Sequence, residues 1–264
     1  MTSLRAETIR ALLTEPEPVC PRIVTVLESV DSTNRWMSER ARAGEVAHGD
    51  LVVADTQSGG RGRRDRTWTS PPGVNVYASM LVDAPLGPAG LLVYVAGLAV
   101  SDAAEALAGI RPFLKWPNDC FIGARKLCGI LCESVGVPGA IRVVVGIGLN
   151  VNATPADFGP DIRDSATSLA IEADRLFDRN EVVARLYHAL MSRYNLLATD
   201  ARRIVDDWKV RAGLPNVRYR VRLDSGEIVG GRVHDLAVDG ALVLQTDTES
   251  RAIYTGDVVS WRVD

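Results

Sequence analysis

Gln57-Ser58-Gly59-Gly60-Arg61-Gly62-Arg63-Arg64-Asp65-Arg66-Thr67-Trp68 is the segment from which the fold of this chain is read. It follows residues 51–56, an apolar run of strand character, so it leaves a strand end, where loops commonly carry sites. Arg61, Arg63, Arg64 and Arg66 stand in so short and glycine-rich a stretch that a core cannot absorb them. The loop is expected to stay mobile until an anion orders it, as a lid over a carboxylate or phosphate; a solvated basic loop is the plain alternative. Two standard phosphate loops are excluded. Asp65 stands where the third glycine of G-x-G-x-x-G belongs, and no Gly-Lys-Ser/Thr follows.

Upstream, residues 23–27 read as a buried strand, and Asp31-Ser32-Thr33-Asn34 opens a helix running to about residue 43. The side chains of Ser32, Thr33 and Asn34 serve either as helix caps or as three adjacent hydrogen-bonding groups for a small polar ligand. Downstream, Ser70-Pro71-Pro72-Gly73 is a turn, residues 74–82 alternate as a strand, and residues 91–107 form an Ala- and Val-rich helix packed on the sheet. A dense block follows: Phe113-Leu114-Lys115-Trp116-Pro117-Asn118-Asp119, a connector, residues 126–133, and residues 143–152, giving three strands whose polar ends meet at one edge of a sheet. Lys115 and Lys126 lie beside apolar neighbours, which suits a snorkelling side chain or an anion contact. Asp119 suits Mg²⁺ or a turn cap, and Gly148 with Asn150 suits a close ligand approach or an ordinary turn.

Helices over 181–197 and 201–210 lead to a boundary at Gly213 and Pro215, after which short β runs and turns fill the remainder. The expected architecture is α+β. A short leader (1–21) precedes a helix-packed mixed β-sheet catalytic domain (22–215), and a small β-barrel (216–264) ends the chain.

With 264 residues, 47% hydrophobic and 24% charged, the chain has ample material for a core. A formal net charge of -3 gives no overall attraction to nucleic acid, so anion binding must come from local clusters. Residues 1–13 carry Arg5, Glu7 and Arg10 and resemble neither a signal peptide nor an anchor, and residues 89–100 are too short to span a bilayer. A cytoplasmic protein without membrane association is expected. Cys20, Cys120, Cys128 and Cys132 contain no C-x-x-C pair and read as reduced thiols in or near the core. No G-x-S-x-G or H-E-x-x-H motif accompanies His48, His188 and His234, so a triad and a simple zinc hydrolase are set aside. What remains is cationic and amide-rich, an inventory suited to a carboxylate and a polyphosphate in phosphoryl or nucleotidyl transfer.

Ser32-Thr33-Asn34, the 57–68 loop, Lys115-Trp116-Pro117-Asn118-Asp119, Lys126-Leu127-Cys128-Gly129-Ile130-Leu131 and Gly146-Ile147-Gly148-Leu149-Asn150 occur in an order and spacing that resemble biotin protein ligases. The resemblance covers roughly residues 22–264 and implies a biotin/lipoate ligase-like domain with an SH3-like C-terminal barrel. It implies that biotin and MgATP give biotinyl-5′-AMP and pyrophosphate, and that a lysine of a biotin carboxyl carrier domain of an acyl-CoA or pyruvate carboxylase then takes the biotin. On that pattern Ser32, Thr33, Asn34, Gln57, Gly60 and Gly129 line the biotin site, and Arg61, Gly62 and Arg63 hold its carboxylate or the adenylate phosphate. Lys126 meets the carboxylate and the α-phosphate. Arg66, Lys115, Asn118 and Asp119 serve ATP, with Asp119 also the Mg²⁺ ligand and an acceptor for the incoming lysine's proton. Trp68 covers the adenine and Asn150 faces the nucleotide. Arg63, Lys126 and Asp119 are the catalytic set. With only a short leader, the chain matches the family's monofunctional type, with no DNA partner and no repressor role, as a monomer or weak homodimer.

The rival readings are a lipoate or octanoate ligase or transferase, and a biotin-responsive regulator without turnover. One residue departs from the pattern. Asp65 replaces a glycine found in many relatives, which predicts weaker loop closure and modest affinity for biotin or ATP, with Asp65→Gly expected to tighten both.

Overall fold

The computed structural model describes residues 3–13, 21–84 and 89–263. Helix α1 (Ala6–Leu12), strand β1 (Val24–Val30), helix α2 (Thr33–Arg42), strands β2 (Leu51–Gln57) and β3 (Val76–Asp83), and helix α3 (Leu92–Ala108) come first. Strands β4 (Phe113–Lys115), β5 (Asp119–Ile122), β6 (Arg125–Val137) and β7 (Ala140–Leu149) follow, then helices α4 (Leu169–Ala173), α5 (Arg179–Thr199) and α6 (Ala201–Arg211). The first seven strands form one sheet in the order β1-β2-β3-β7-β6-β5-β4. β1 runs parallel to β2, and the other pairings in this sheet are antiparallel.

Strand alternation divides this sheet into two unlike faces. On β3, Val76, Ala78, Met80 and Val82 enter the main core, as do Val143, Val145, Ile147 and Leu149 of β7. Helices α3 and α5 cover that face; α3 is Ala- and Val-rich, buried along most of its length, and ends at Gly109, whose φ of 67° sets the left-handed cap. Helix α1 packs on α5 with Ile9 fully buried, so residues 4–13 share the main core. On the opposite face α2 covers one end of the sheet, placing Met37 and Ala41 against Val52, Leu81, Val135 and Val144. The other end of that face is left to the 57–68 loop.

One segment differs from the reading of the sequence. The connector expected after Asp119 contains β5, which forms a hairpin with β6 through Ile122↔Arg125 around Gly123 at φ 56°. Phe-Ile-Gly-Ala-Arg carries only half of a hairpin signal, since Ala124 is not a turn residue.

Strands β8 (Val217–Arg222), β9 (Ile228–Leu236), β10 (Leu242–Gln245), β11 (Ser250–Ile253) and β12 (Asp257–Val263) form a separate antiparallel sheet, ordered β11-β10-β9-β8-β12. Val217, Tyr219 and Val221 point inward and alternate with exposed Arg218, Arg220 and Arg222. This small domain is fastened beside β4. Trp116 N donates to the Tyr219 hydroxyl at 3.3 Å, Phe113 stacks on Trp261 at 4.8 Å, and the Tyr94 hydroxyl donates to Gly240 O at 2.7 Å.

Cys120 and Cys128 are buried free thiols and Cys132 is a half-buried one; Cys20 lies outside the described residues. Among the described residues no helix is long and apolar enough to cross a membrane.

Candidate active site

The cleft is floored by strands in which glycine replaces side chain. Register places Tyr77 beside Gly148, Gly148 beside Gly129, Gly129 beside Asp119 and Asp119 beside Lys115, one row across β3, β7, β6, β5 and β4. The next row runs Ser79, Gly146, Leu131. Gly146 and Gly148 therefore sit inside a strand rather than in a turn, and they mark close approaches. A Cβ on Gly148 would stand 2.6 Å from the Trp68 indole, one on Gly129 would stand 2.9 Å from it, and one on Gly146 would collide with Asn34 Oδ1.

One end of the cleft is a hydrogen-bonded cluster. Ser32, Thr33 and Asn34 are buried at the start of α2; Ser32 holds the cap position but makes no side-chain cap hydrogen bond, which removes the capping explanation. Gln57 Oε1 accepts from Thr33 N at 3.0 Å and Thr33 Oγ1 at 3.2 Å, while its Nε2 donates to Ser70 Oγ at 3.0 Å. Asn34 Oδ1 accepts from Ser79 Oγ at 2.6 Å, and Asn34 Nδ2 donates to Leu131 O at 3.1 Å and Glu133 Oε2 at 2.7 Å. Together these groups form a rigid polar wall that a small ligand meets as a fixed pattern of donors and acceptors.

The arginine loop forms the roof, and the protein supplies anions of its own to hold it. Arg61 reaches Glu133 at 3.1 Å. Arg64 and Arg66 reach Asp257 Oδ2 at 2.9 and 2.5 Å, Arg64 also pairs with Asp224, and Arg63 lies 4.0 Å from Asp257 Oδ1 while donating to Gly256 O at 3.2 Å and to Asn118 Oδ1 at 3.5 Å. Burial pushes the Arg63 pKa down, and the Asp257 carboxylate opposes that shift. Residues 63–65 make one 3-10 turn, inside which Arg64 takes left-handed φ 53°, ψ 48°. The left-handed residue of this turn is therefore Arg64, the neighbour of Asp65. Gly60 closes the base: Trp68 N donates to Gly60 O at 2.9 Å, and a Cβ on Gly60 would collide with Trp68 O.

Two clefts meet under this roof. The first, an open space of about 790 Å³, is lined by Ser32, Thr33, Asn34, Gln57 and the glycine floor, with Arg61, Gly62, Arg63 and Arg66 above. The second, about 710 Å³, is lined by Trp68, Asn75, Asn150, Phe158 and Ala166 among others. Trp68 and Lys126 line both. A bulge between Cys120 and Phe121 shifts the β5–β6 register, so that Lys126 pairs with Phe121 and Leu127 is the extra residue of β6. Lys126 Nζ lies 2.7 Å from Asp119 Oδ1 and 5.3 Å over the Trp68 ring. The Trp68 indole N–H is buried without an acceptor.

The remaining expected residues divide. Asn118 and Asp119 line the first cleft; Asn118 is also tied to β6, donating to Ile130 O at 2.7 Å. Asn150 lines the second, though its amide already donates to Thr167 O at 2.9 Å and accepts from Asn75 at 3.3 Å. Lys115 lines neither cleft; its Nζ sits 5.1 Å over the Phe121 ring, and burial lowers its pKa against the pull of Asp119. Among the described residues no group of three His, Cys, Asp or Glu side chains gathers to hold a metal ion. The reading of the sequence passed over Tyr77, Ser79, Glu133 and Asp257. Ser79 and Tyr77 carried a usable signal as polar positions on an otherwise apolar strand, whereas Asp257 carried none.

Comparison with known proteins bears on this geometry. The profile of the Biotin/lipoate A/B protein ligase family matches residues 26–152, and that of the biotin protein ligase C terminal domain matches residues 220–261. A biotin–[acetyl-CoA-carboxylase] ligase of Mycobacterium tuberculosis is 34% identical over 91% of this chain and 90% of its own length. The chain belongs to the biotin protein ligase family. Within that family the bifunctional ligase/repressor BirA of Bacillus subtilis is also 34% identical, over 87% of this chain and 71% of its own. Among solved biotin protein ligases, one from Aquifex aeolicus in complex with biotin and ATP superposes with a TM-score of 0.79 at 27% identity, covering 92% of this chain and all of that one.

Proposed function

We propose that the protein activates biotin with MgATP and transfers it to a lysine of a biotin carboxyl carrier domain. The observation that carries this reading is the position of Lys126, shared by two clefts that meet beneath an arginine loop. Forming an acyl-adenylate requires a carboxylate and an α-phosphate to meet at one point, with a fixed cation where negative charge develops. Biotin occupies the first cleft, its ureido ring against Ser32, Thr33, Asn34 and Gln57 and its chain over Gly146, Gly148 and Gly129. ATP occupies the second, with Trp68 dividing the two and its unpaired indole N–H available to a ligand acceptor.

In the first step the biotin carboxylate oxygen bonds to the α-phosphorus as the bond to pyrophosphate breaks, with Lys126 and Arg63 placed on the charge. In the second, the neutral amine of the carrier lysine bonds to the acyl carbon, AMP leaves, and Asp119 takes the amine's proton. Magnesium enters with ATP. Asp119 supplies one carboxylate at the junction, which suits an ion held mainly by substrate phosphates. Gly60 acts by holding the loop base, and Arg66 and Asn118 act through the loop and β6.

A polar wall favours biotin over lipoate or octanoate, because a head group without hydrogen-bonding atoms would strip water from those polar groups while offering them no partner of its own. Carboxylase carrier domains as partners, a cytoplasmic location and a monomer or weak homodimer complete the reading. The test is incubation with MgATP and biotin, lipoate or octanoate separately, with mass spectrometry of the retained adenylate and then of an added carrier domain. Biotinyl-AMP and a biotinylated carrier are expected; lipoyl- or octanoyl-AMP would overturn the substrate, and no adenylate with any acid would overturn the activity.

A further inference from the structure

A loop built to receive an anion is held here by a carboxylate from the other domain. Asp257 opens β12, is 8% exposed and lines the first cleft. Its Oδ2 receives Arg64 at 2.9 Å and Arg66 at 2.5 Å, and its Oδ1 faces Arg63 at 4.0 Å. The grip extends to its neighbours. Gly256 O accepts from Arg63, and Thr255 Oγ1 donates at 2.6 Å to Asp224, which pairs with Arg64. Gly256 is tightly fitted: a Cβ there would collide with Val221.

We propose that Asp257 is a positioning residue that holds the arginine loop closed over the cleft, so that the C-terminal domain sets how long an anionic intermediate is retained. Three guanidinium groups crowded into one short turn repel each other, and a nearly buried carboxylate among them converts that repulsion into a single preferred loop position. Arg63 and Arg66 both line the cleft, and Arg63 is the one that also donates to Asn118, so fixing its base through Gly256 and Asp257 fixes a donor that faces the ligand. Asp257 touches no reacting atom in this scheme; it acts through Arg63, Arg64 and Arg66. The nature of the retained anion rests on the ligase reading, whereas the closed loop does not.

Trypsin cuts after arginine, so the loop reports its own opening. The ligand-free protein and the variant Asp257→Asn are digested briefly and cleavage after Arg61, Arg63, Arg64 or Arg66 is timed by mass spectrometry. Cleavage about tenfold faster in the variant is expected, the size of losing one charge-assisted contact. Loaded with biotin and MgATP and chased with excess biotin, the variant should also release its adenylate about tenfold faster, with a smaller change in the rate of adenylate formation. Cleavage or release within twofold of the parent protein, with thermal unfolding unchanged, overturns the proposal. Should Asp257→Asn fail to fold, Arg66→Gln breaks the same pair from the exposed side, and the same twofold limit decides. A parent protein that forms no adenylate refutes the ligase reading while the cleavage experiment still judges the latch.

Discussion

The Trp68 indole lies against Gly148, close enough that a Cβ on that glycine would stand 2.6 Å from Nε1. Gly148 is the next-to-last residue of β7 and lies opposite Gly129 of β6, and a Cβ at Gly129 would also meet the indole. Sequence places glycine at paired positions of neighbouring strands, packing places an aromatic on the bare backbone, and the outcome is the partition between the two clefts. Gly148→Ala is therefore expected to displace Trp68 and to lower catalytic efficiency by about tenfold or more, with only a small loss of thermal stability, because Trp68 is half-buried on a loop. Steady-state kinetics in biotin and ATP, beside a melting curve, checks this; unchanged kinetics would mean the partition has no catalytic role.

Gly146→Ala should behave in the opposite way. Its Cβ would collide with Asn34, which is 4% exposed and fixed by Ser79, Leu131 and Glu133, so neither side can yield. Overpacking of this kind costs about 1–3 kcal/mol. A clear drop in melting temperature is the expected result, and a variant as stable as the parent would show that Asn34 is less fixed than its hydrogen bonds imply.

Glu105 on α3 gives a pH prediction. Hydrogen bonds from Arg111 and then Arg211 hold its carboxyl down at about 2, against an ordinary value of 4.5. A depressed carboxyl stabilises the fold above the unfolded value, and that contribution is lost as pH falls from 4.5 toward 2. The side chain is 36% exposed, so solvent screening leaves about 1 kcal/mol or less. Glu105→Gln should thus melt a few degrees lower at pH 7, by about 2–4 °C per kcal/mol for a chain of this size, with the gap narrowing at pH 3.5 and in high salt. A gap independent of pH would refute the assignment.

The parts of the site that were legible in the sequence are those carried by local pattern. The arginine loop announced itself by composition, and the Ser32–Asn34 triplet by its place at a helix start. Gly148 was visible as a residue but ambiguous in role, since a glycine in Gly-x-Gly-x-Asn fits a turn as well as a strand facing an aromatic. Lys115 shared a register row with Asp119 yet ended over Phe121 instead of in a cleft, a distinction that depends on which strand is the edge. Asp257 is separated from Arg66 by 191 residues, and nothing near it in the chain distinguishes it from any other turn aspartate. Contacts of that range depend on how two domains dock, and no local periodicity encodes that.

Lys126 and Asp119 form the last test, because structure and chemistry predict different responses from the same pair. Lys126→Ala removes the cation at the junction and should slow adenylate formation by about 10²–10³, the usual loss for a group aimed at developing charge. It also leaves the Asp119 carboxylate without the partner that lies 2.7 Å away, which should lower the melting temperature. Adding Asp119→Asn removes that unpaired charge, so the double variant should regain stability while remaining at least as slow in pyrophosphate release as Lys126→Ala. Recovery of both together would mean that Lys126 serves only to neutralise Asp119; recovery of stability alone places its charge in the reaction.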